Sequence, residues 1–153
     1  MAIDYDIETA VETAISGLLT EEGLNAMRWD DKKDLRLSRV TKIKANLVDE
    51  EYGTMNTYAA SRVVVDIASF DSKKRDTQGI FTNTDRGTVR QAFDRNNTDL
   101  SGSPESRLSG FTSAVYFYDN GINTYGTFDA SDGKNWGKGI SFVIHCKIFN
   151  PDA

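Results

Sequence analysis

The segment 58–70, Tyr-Ala-Ala-Ser-Arg-Val-Val-Val-Asp-Ile-Ala-Ser-Phe, constrains this chain most, because it is apolar on both sides of an extended strand. Successive strand residues point to opposite faces, so Val63, Val65 and Ile67 share one face while Val64, Ala68 and Phe70 share the other around Asp66. Such a strand lies in the interior of a sheet or is covered by a partner. Just before it, residues 40–48 alternate apolar and polar through Ile43, Lys44, Ala45, Asn46 and Leu47, the pattern of a half-buried strand. Residues 50–56, with Gly53, form a hairpin connection between the two.

The C-terminal third has the same two-residue period. Ile140, Phe142, Ile144, Cys146 and Ile148 alternate with Ser141, Val143, His145, Lys147 and Phe149, and Pro151 ends the run. Phe111, Ser113, Val115 and Phe117 alternate with Thr112, Ala114, Tyr116 and Tyr118 up to Asp119-Asn120-Gly121. Asn-Gly accepts positive φ at both positions, which predicts a tight hairpin there and a further strand over 122–128. Together these segments read as an aromatic-rich β-meander.

Helical spacing is clearest at the start. Ile3, Ile7, Ala10, Val11, Ala14, Ile15, Leu18 and Leu19 make one apolar stripe, Asp4 or Asp6 can cap it, and Gly23 can terminate it. The helix is expected over about 4–20. A second, short helix is expected from Thr84 or Asp85 to Arg95, with Val89, Ala92 and Phe93 inward and Arg86-Gly87 weakening it. Residues 24–39, 71–85 and 96–109 are polar, and are expected as loops. The predicted architecture is α+β: an antiparallel β-sheet with the N-terminal amphipathic helix and the second short helix packed on one face. At 153 residues, one domain over 1–153 is expected.

Several function classes lose support. One cysteine and one histidine cannot supply a disulfide or the usual zinc sets. His145 and Cys146 are adjacent in a strand, so they diverge and cannot act as base and nucleophile on each other. Cys146 belongs to the Ile144 and Ile148 face, as a buried cysteine. There is no Gly-Lys-Ser or Gly-Lys-Thr of a P-loop, and the C-terminal glycines do not sit at a strand-to-helix turn. The loop 129–135 offers Asp129, Ser131, Asp132 and Asn135 but lacks the calcium-loop spacing and its closing Glu, so it reads as turn chemistry. No cofactor or metal is called for, and no enzyme motif is present; a hydrolase built on loop carboxylates would need acid pairs that only folding could reveal. Charge, at 18 Lys+Arg against 23 Asp+Glu, argues against a general nucleic-acid surface. No apolar run nears the roughly 18 residues of a membrane span, and the N-terminus lacks the features of a signal peptide, so a soluble, unexported chain is expected.

What remains is surplus sheet surface. Tyr116, Tyr118, Tyr125, Val64, Phe70, Val143 and Phe149 exceed what two short helices cover, and partner contact is the outlet. Lys73, Lys74 and Arg75, on a loop, are candidate interface residues, although the Asp residues beside them, as beside Lys32, Lys33, Arg36 and Arg39, favour a solvated face for both clusters. Trp136, in a Gly-rich connection, is either packed under its loop or presented to a partner.

The order of these elements resembles the tail-terminator and tail-completion proteins of long-tailed bacteriophages. The resemblance runs through the helix 4–20, the paired strands near 43–47 and 62–70, the helix containing Val89-Arg90-Gln91-Ala92-Phe93 and the strand Ile140-Ser141-Phe142-Val143-Ile144-His145, and covers most of the chain. It implies a non-enzymatic virion structural protein, assembled in the host cytoplasm. Such proteins form a ring, commonly a hexamer, that caps the tail tube, stops its polymerisation and joins it to the head connector. Genomic DNA would pass through the lumen without specific binding, and no membrane would be involved. A different class is also open: a small-ligand or carbohydrate-binding module with Trp136, Tyr125 and Tyr118 as an aromatic platform beside Asp129, Asp132 and Asn135.

Overall fold

The computed structural model describes residues 3–29, 39–52, 58–72, 74, 76–97, 102–131 and 135–149. Helix α1 spans Ile3–Glu21. It buries Ile7, Val11, Ala14, Ile15, Leu18 and Leu19 completely, the stripe expected from their spacing. Gly23 ends it at φ 91°; its N–H donates to Thr20 O and that of Leu24 to Leu19 O, closing the last turn as a Schellman motif.

Strands β1 (Ala26–Arg28), β2 (Val40–Tyr52), β3 (Tyr58–Ser72), β4 (Val115–Ser131) and β5 (Asn135–Phe149) form one sheet in the order β1-β2-β3-β5-β4. β1 runs parallel to β2, and the other pairs are antiparallel. β3, the strand apolar on both sides, is the central one. The segment 24–39, expected as a loop, contributes β1, which closes onto β2 through the Thr41 N–H to Asn25 O and the Trp29 N–H to Ile43 O.

Helices α2 (Ile80–Ala92) and α3 (Pro104–Ser109) join α1 on one face of the sheet. The fold is α+β, with helices on one side of a mostly antiparallel sheet. The core lies between the layers and includes Ile43, Val63, Val65, Ile67, Val89, Phe93, Leu108, Val115, Phe117, Ile140, Phe142, Ile144 and Cys146. Phe93 and Phe142 meet there with ring centroids 4.6 Å apart. No helix among the described residues is long and apolar enough to cross a membrane.

Three expectations are corrected. α2 starts at Ile80 rather than at Thr84 or Asp85 and ends at Ala92, because Asp76 caps it from outside: its carboxylate accepts the N–H groups of Phe81 (3.2 Å) and Thr82 (3.0 Å) and the Thr82 hydroxyl (3.1 Å). Asp85 instead lies buried inside the helix, paired with Arg39. Residues 96–109 are not all loop. Ser103 caps α3 by accepting the Ser106 N–H, Pro104 opens it, and Arg95–Glu105 and Arg107–Glu22 pairs tie it to the ends of α2 and α1.

The third correction concerns Asn120-Gly121, which does not make a hairpin. β4 is continuous from Val115 to Ser131, not starting at Phe111, and bulges between Phe117↔Cys146 and Ile122↔Ile144, so that residues 118–121 oppose His145 alone. The positive-φ chemistry is present, with Asn120 at φ 59°. Gly121 is needed because a Cβ there would lie 2.8 Å from both His145 O and Tyr118 O. The meander is therefore one long two-stranded ribbon.

Candidate functional site

The two faces of the sheet differ in their polar chemistry. On the helix side, cations meet carboxylates. Arg39 makes a two-point contact with Asp85 at 2.7 and 2.9 Å, which holds its guanidinium above the ordinary arginine value against the opposing effect of burial. Arg86 and Lys138 flank Asp129 at 3.2 and 3.3 Å, and Arg28 reaches Glu12 at 2.9 Å. Asp76 is buried, which alone would raise its pKa, but the N–H groups of Thr82, Phe81 and Ile80 and the Thr82 hydroxyl outweigh this and hold it below the usual carboxylate value.

The outer face carries Lys42 and Lys44 on β2, Arg62, Val64, Asp66, Ala68 and Phe70 on β3, and Ser141, Val143, His145 and Lys147 on β5. Its aromatic rings serve the backbone: Phe70 lies over Gly137 and Phe128 over Gly139, where a side chain would collide with them. Trp29 packs edge-on against Phe70 at 5.7 Å, and Lys42 Nζ sits 5.9 Å from the Trp29 ring. Met27, Val40 and Ala68 are buried on this side, apart from the main core. Further along, Lys147 Nζ lies 5.0 Å from the Tyr118 ring, which meets Tyr116 edge-on. In the middle, the Ser141 hydroxyl donates to Asp66 at 2.5 Å. By register Asp66 is not the only carboxylate on this face: Asp49 stands opposite Arg62, and Glu51 opposite Ala60, which in turn faces Lys147.

The edges differ too. The free side of β2 is closed by α1: Glu12 accepts the Ala45 N–H and Glu8 the Leu47 N–H, both at 2.8 Å. β4 forms the opposite edge, and it carries the exposed Tyr116 (58%) and Tyr125 (73%). Tyr125 is the extra residue of a second bulge, between Thr124 and Gly126.

Of the interface residues expected from sequence, Lys73 and Arg75 lie outside the described residues. Lys74 is exposed in the turn after β3, its N–H donating to the Ser72 hydroxyl. Trp136, 37% exposed, opens β5 between Asp71 and Ser131, so it belongs to a strand rather than a loop. The structure does not assemble the aromatic platform. Tyr118 packs on Lys147, eleven residues along β5 from Trp136, roughly 35 Å at the rise of a strand. Asp129 is held by Arg86 and Lys138, Asp132 lies outside the described residues, and no group of acidic, His or Cys side chains among the described residues could hold a metal ion.

Cys146 is fully buried in the core, and burial pushes its thiol up to about 12. His145 turns to the outer face, half-buried. Sequence reasoning missed Lys42, Lys44, Arg62 and Lys147 as a group. Their signal was the polar half of each strand's alternation, which becomes a surface only when the register places β2, β3 and β5 side by side. Comparison of the sequence with models of known protein families and with curated proteins finds no match.

Proposed function

We propose that this chain is a non-enzymatic structural protein of a long-tailed phage, which closes into a ring, commonly of six copies in such proteins, capping the tail tube at the joint to the head connector. The observation that carries this reading is the presence of unlike surfaces on one protomer. Helices cover one side of the sheet, a face of mixed charge and apolar side chains lies on the other, and one edge is closed while the other shows tyrosines. A ring needs a head-to-tail contact, in which one patch meets a different patch on the next copy and the rotation closes. The phage reading itself rests on the resemblance in element order, read from sequence through α1, β2, β3, α2 and β5.

Light scattering on a size-exclusion column over a wide concentration range, with negative-stain images of any heavy peak, tests the proposal. A closed ring with a central hole is the expected result. Open filaments would point to a tube subunit instead, and a monomer at every concentration, with no affinity for tube or connector proteins, would overturn the reading.

A further inference from the structure

The two borders of the sheet are finished differently. Side chains of α1 close the β1–β2 border: the Ser16 hydroxyl donates to Ala26 O at 3.4 Å, and Glu12 and Glu8 accept the Ala45 and Leu47 N–H groups at 2.8 Å. On the opposite border, β5 is the one strand that pairs with β4, and no side chain among the described residues caps the free side of β4 between Asn123 and Ala130. Nor does β4 carry a Lys, Arg or Pro in its 17 residues to guard that side. Its interruptions are the two bulges, and beyond the second, residues 126–131 keep unbroken register with β5 from Ser141 to Trp136. Helix α2 packs on β3 and β5, which leaves Asn123, Thr124, Tyr125, Gly126, Thr127 and Asp129 exposed.

We infer that residues 126–131 of β4 pair antiparallel with the same residues of a second copy, around a two-fold axis at Phe128. The segment is self-complementary about that axis. Antiparallel pairing then sets Phe128 opposite itself, Gly126 opposite Ala130 and Thr127 opposite Asp129, so an aromatic meets an aromatic, small meets small and a hydroxyl meets a carboxylate. Arg86 and Lys138 of the same copy both approach Oδ1 of Asp129, which leaves Oδ2 to accept from the Thr127 hydroxyl of the other. An axis one residue on would oppose two Asp129 carboxylates. The border that α1 closes is barred to an incoming β4, so a second copy meets β4 with its own β4. The axis stands perpendicular to the sheet and keeps the helices of both copies on one side. Its symmetry makes this a contact separate from the head-to-tail one of a ring, and it does not rest on the ring reading.

Light scattering against concentration compares wild type with three double variants, Gly126→Glu/Ala130→Glu, Gly126→Lys/Ala130→Lys and Gly126→Lys/Ala130→Glu. Gly126 has open space where a Cβ would stand, and thermal melts matching wild type establish that the variants fold. Wild type is expected to pair as its concentration rises. The concentration for half-pairing should rise on the order of tenfold in both like-charged variants, while the mixed variant pairs at least as well as wild type. One like-charged variant adds acid and the other base, so a general effect of net charge would move them in opposite directions. Amide hydrogen exchange on wild type checks the site without substitution: protection over 126–131 should grow in step with the mass. Equal association by all folded variants, or a rising mass with exchange over 126–131 unchanged, would overturn the pairing and leave a ring free to stand on another contact. A mass that stops at two copies, with that protection, would bear out the pairing and count against the ring. A mass of one copy at every concentration would overturn both.

Discussion

Phe142 and Val143 are neighbours on β5 with different surroundings: the Phe142 ring lies in the core against Phe93, while Val143 is half-buried on a face that no helix among the described residues covers. The helix side is closed, with its apolar groups packed and its charges paired. The outer side is tight where aromatic rings lie on glycines, and elsewhere it carries charged and half-buried side chains. Most of the packing therefore resides on one side of these strands, and substitutions on the two faces should differ in their cost to stability.

The largest effect expected is for Phe142→Ala, which leaves a cavity between the layers and should cost about 3–5 kcal/mol in urea unfolding. Gly139→Ala sharpens the contrast, because it tests the outer face at a tight point. The new methyl group meets the Phe128 ring, and a loss of about 1–3 kcal/mol is expected, whereas a neutral result would mean that the ring moves aside at little cost. Asp76→Ala should cost about 1–2 kcal/mol through the lost cap of α2.

Asp76 also carries a pH signature. Its folded pKa is depressed, so the stabilisation is complete above its ordinary value of 3.8 and is lost as pH falls through that value towards the folded one. Unfolding curves of wild type and Asp76→Ala should therefore converge in this acid window. Smallest is Val143→Ala, about 1 kcal/mol or less because the side chain is only half-buried. Equal losses for Val143→Ala and Phe142→Ala would break the division between the faces.

Much of this layout is legible in residue order because it depends on local periods. The α1 stripe and Gly23 define the first helix, and the apolar residues on both sides of Val63–Val65 put β3 in the middle of the sheet. What was hidden depends on remote partners. Ser103-Pro104-Glu105 has good helix-start chemistry, but a six-residue helix has no stripe to announce it, and α3 is held by Arg95 and Glu22 from other elements. A two-residue hairpin takes both Asn120 and Gly121 to positive φ, whereas the bulge takes Asn120 alone, and only the uninterrupted run of β5 alongside decides between them. The make-up of the outer face is hidden for the same reason: Lys44, Arg62 and Lys147 come from three strands, and none of them is conspicuous alone.

The two carboxylates that α1 lends to β2 have a consequence for valence. With the amides of Ala45 and Leu47 already engaged, an incoming strand finds no donors at those positions, so growth by main-chain pairing can proceed mainly through β4. Two copies joined β4 to β4 would use up both reactive borders and stop there. An endless cross-β ribbon is thereby disfavoured even at high protein concentration.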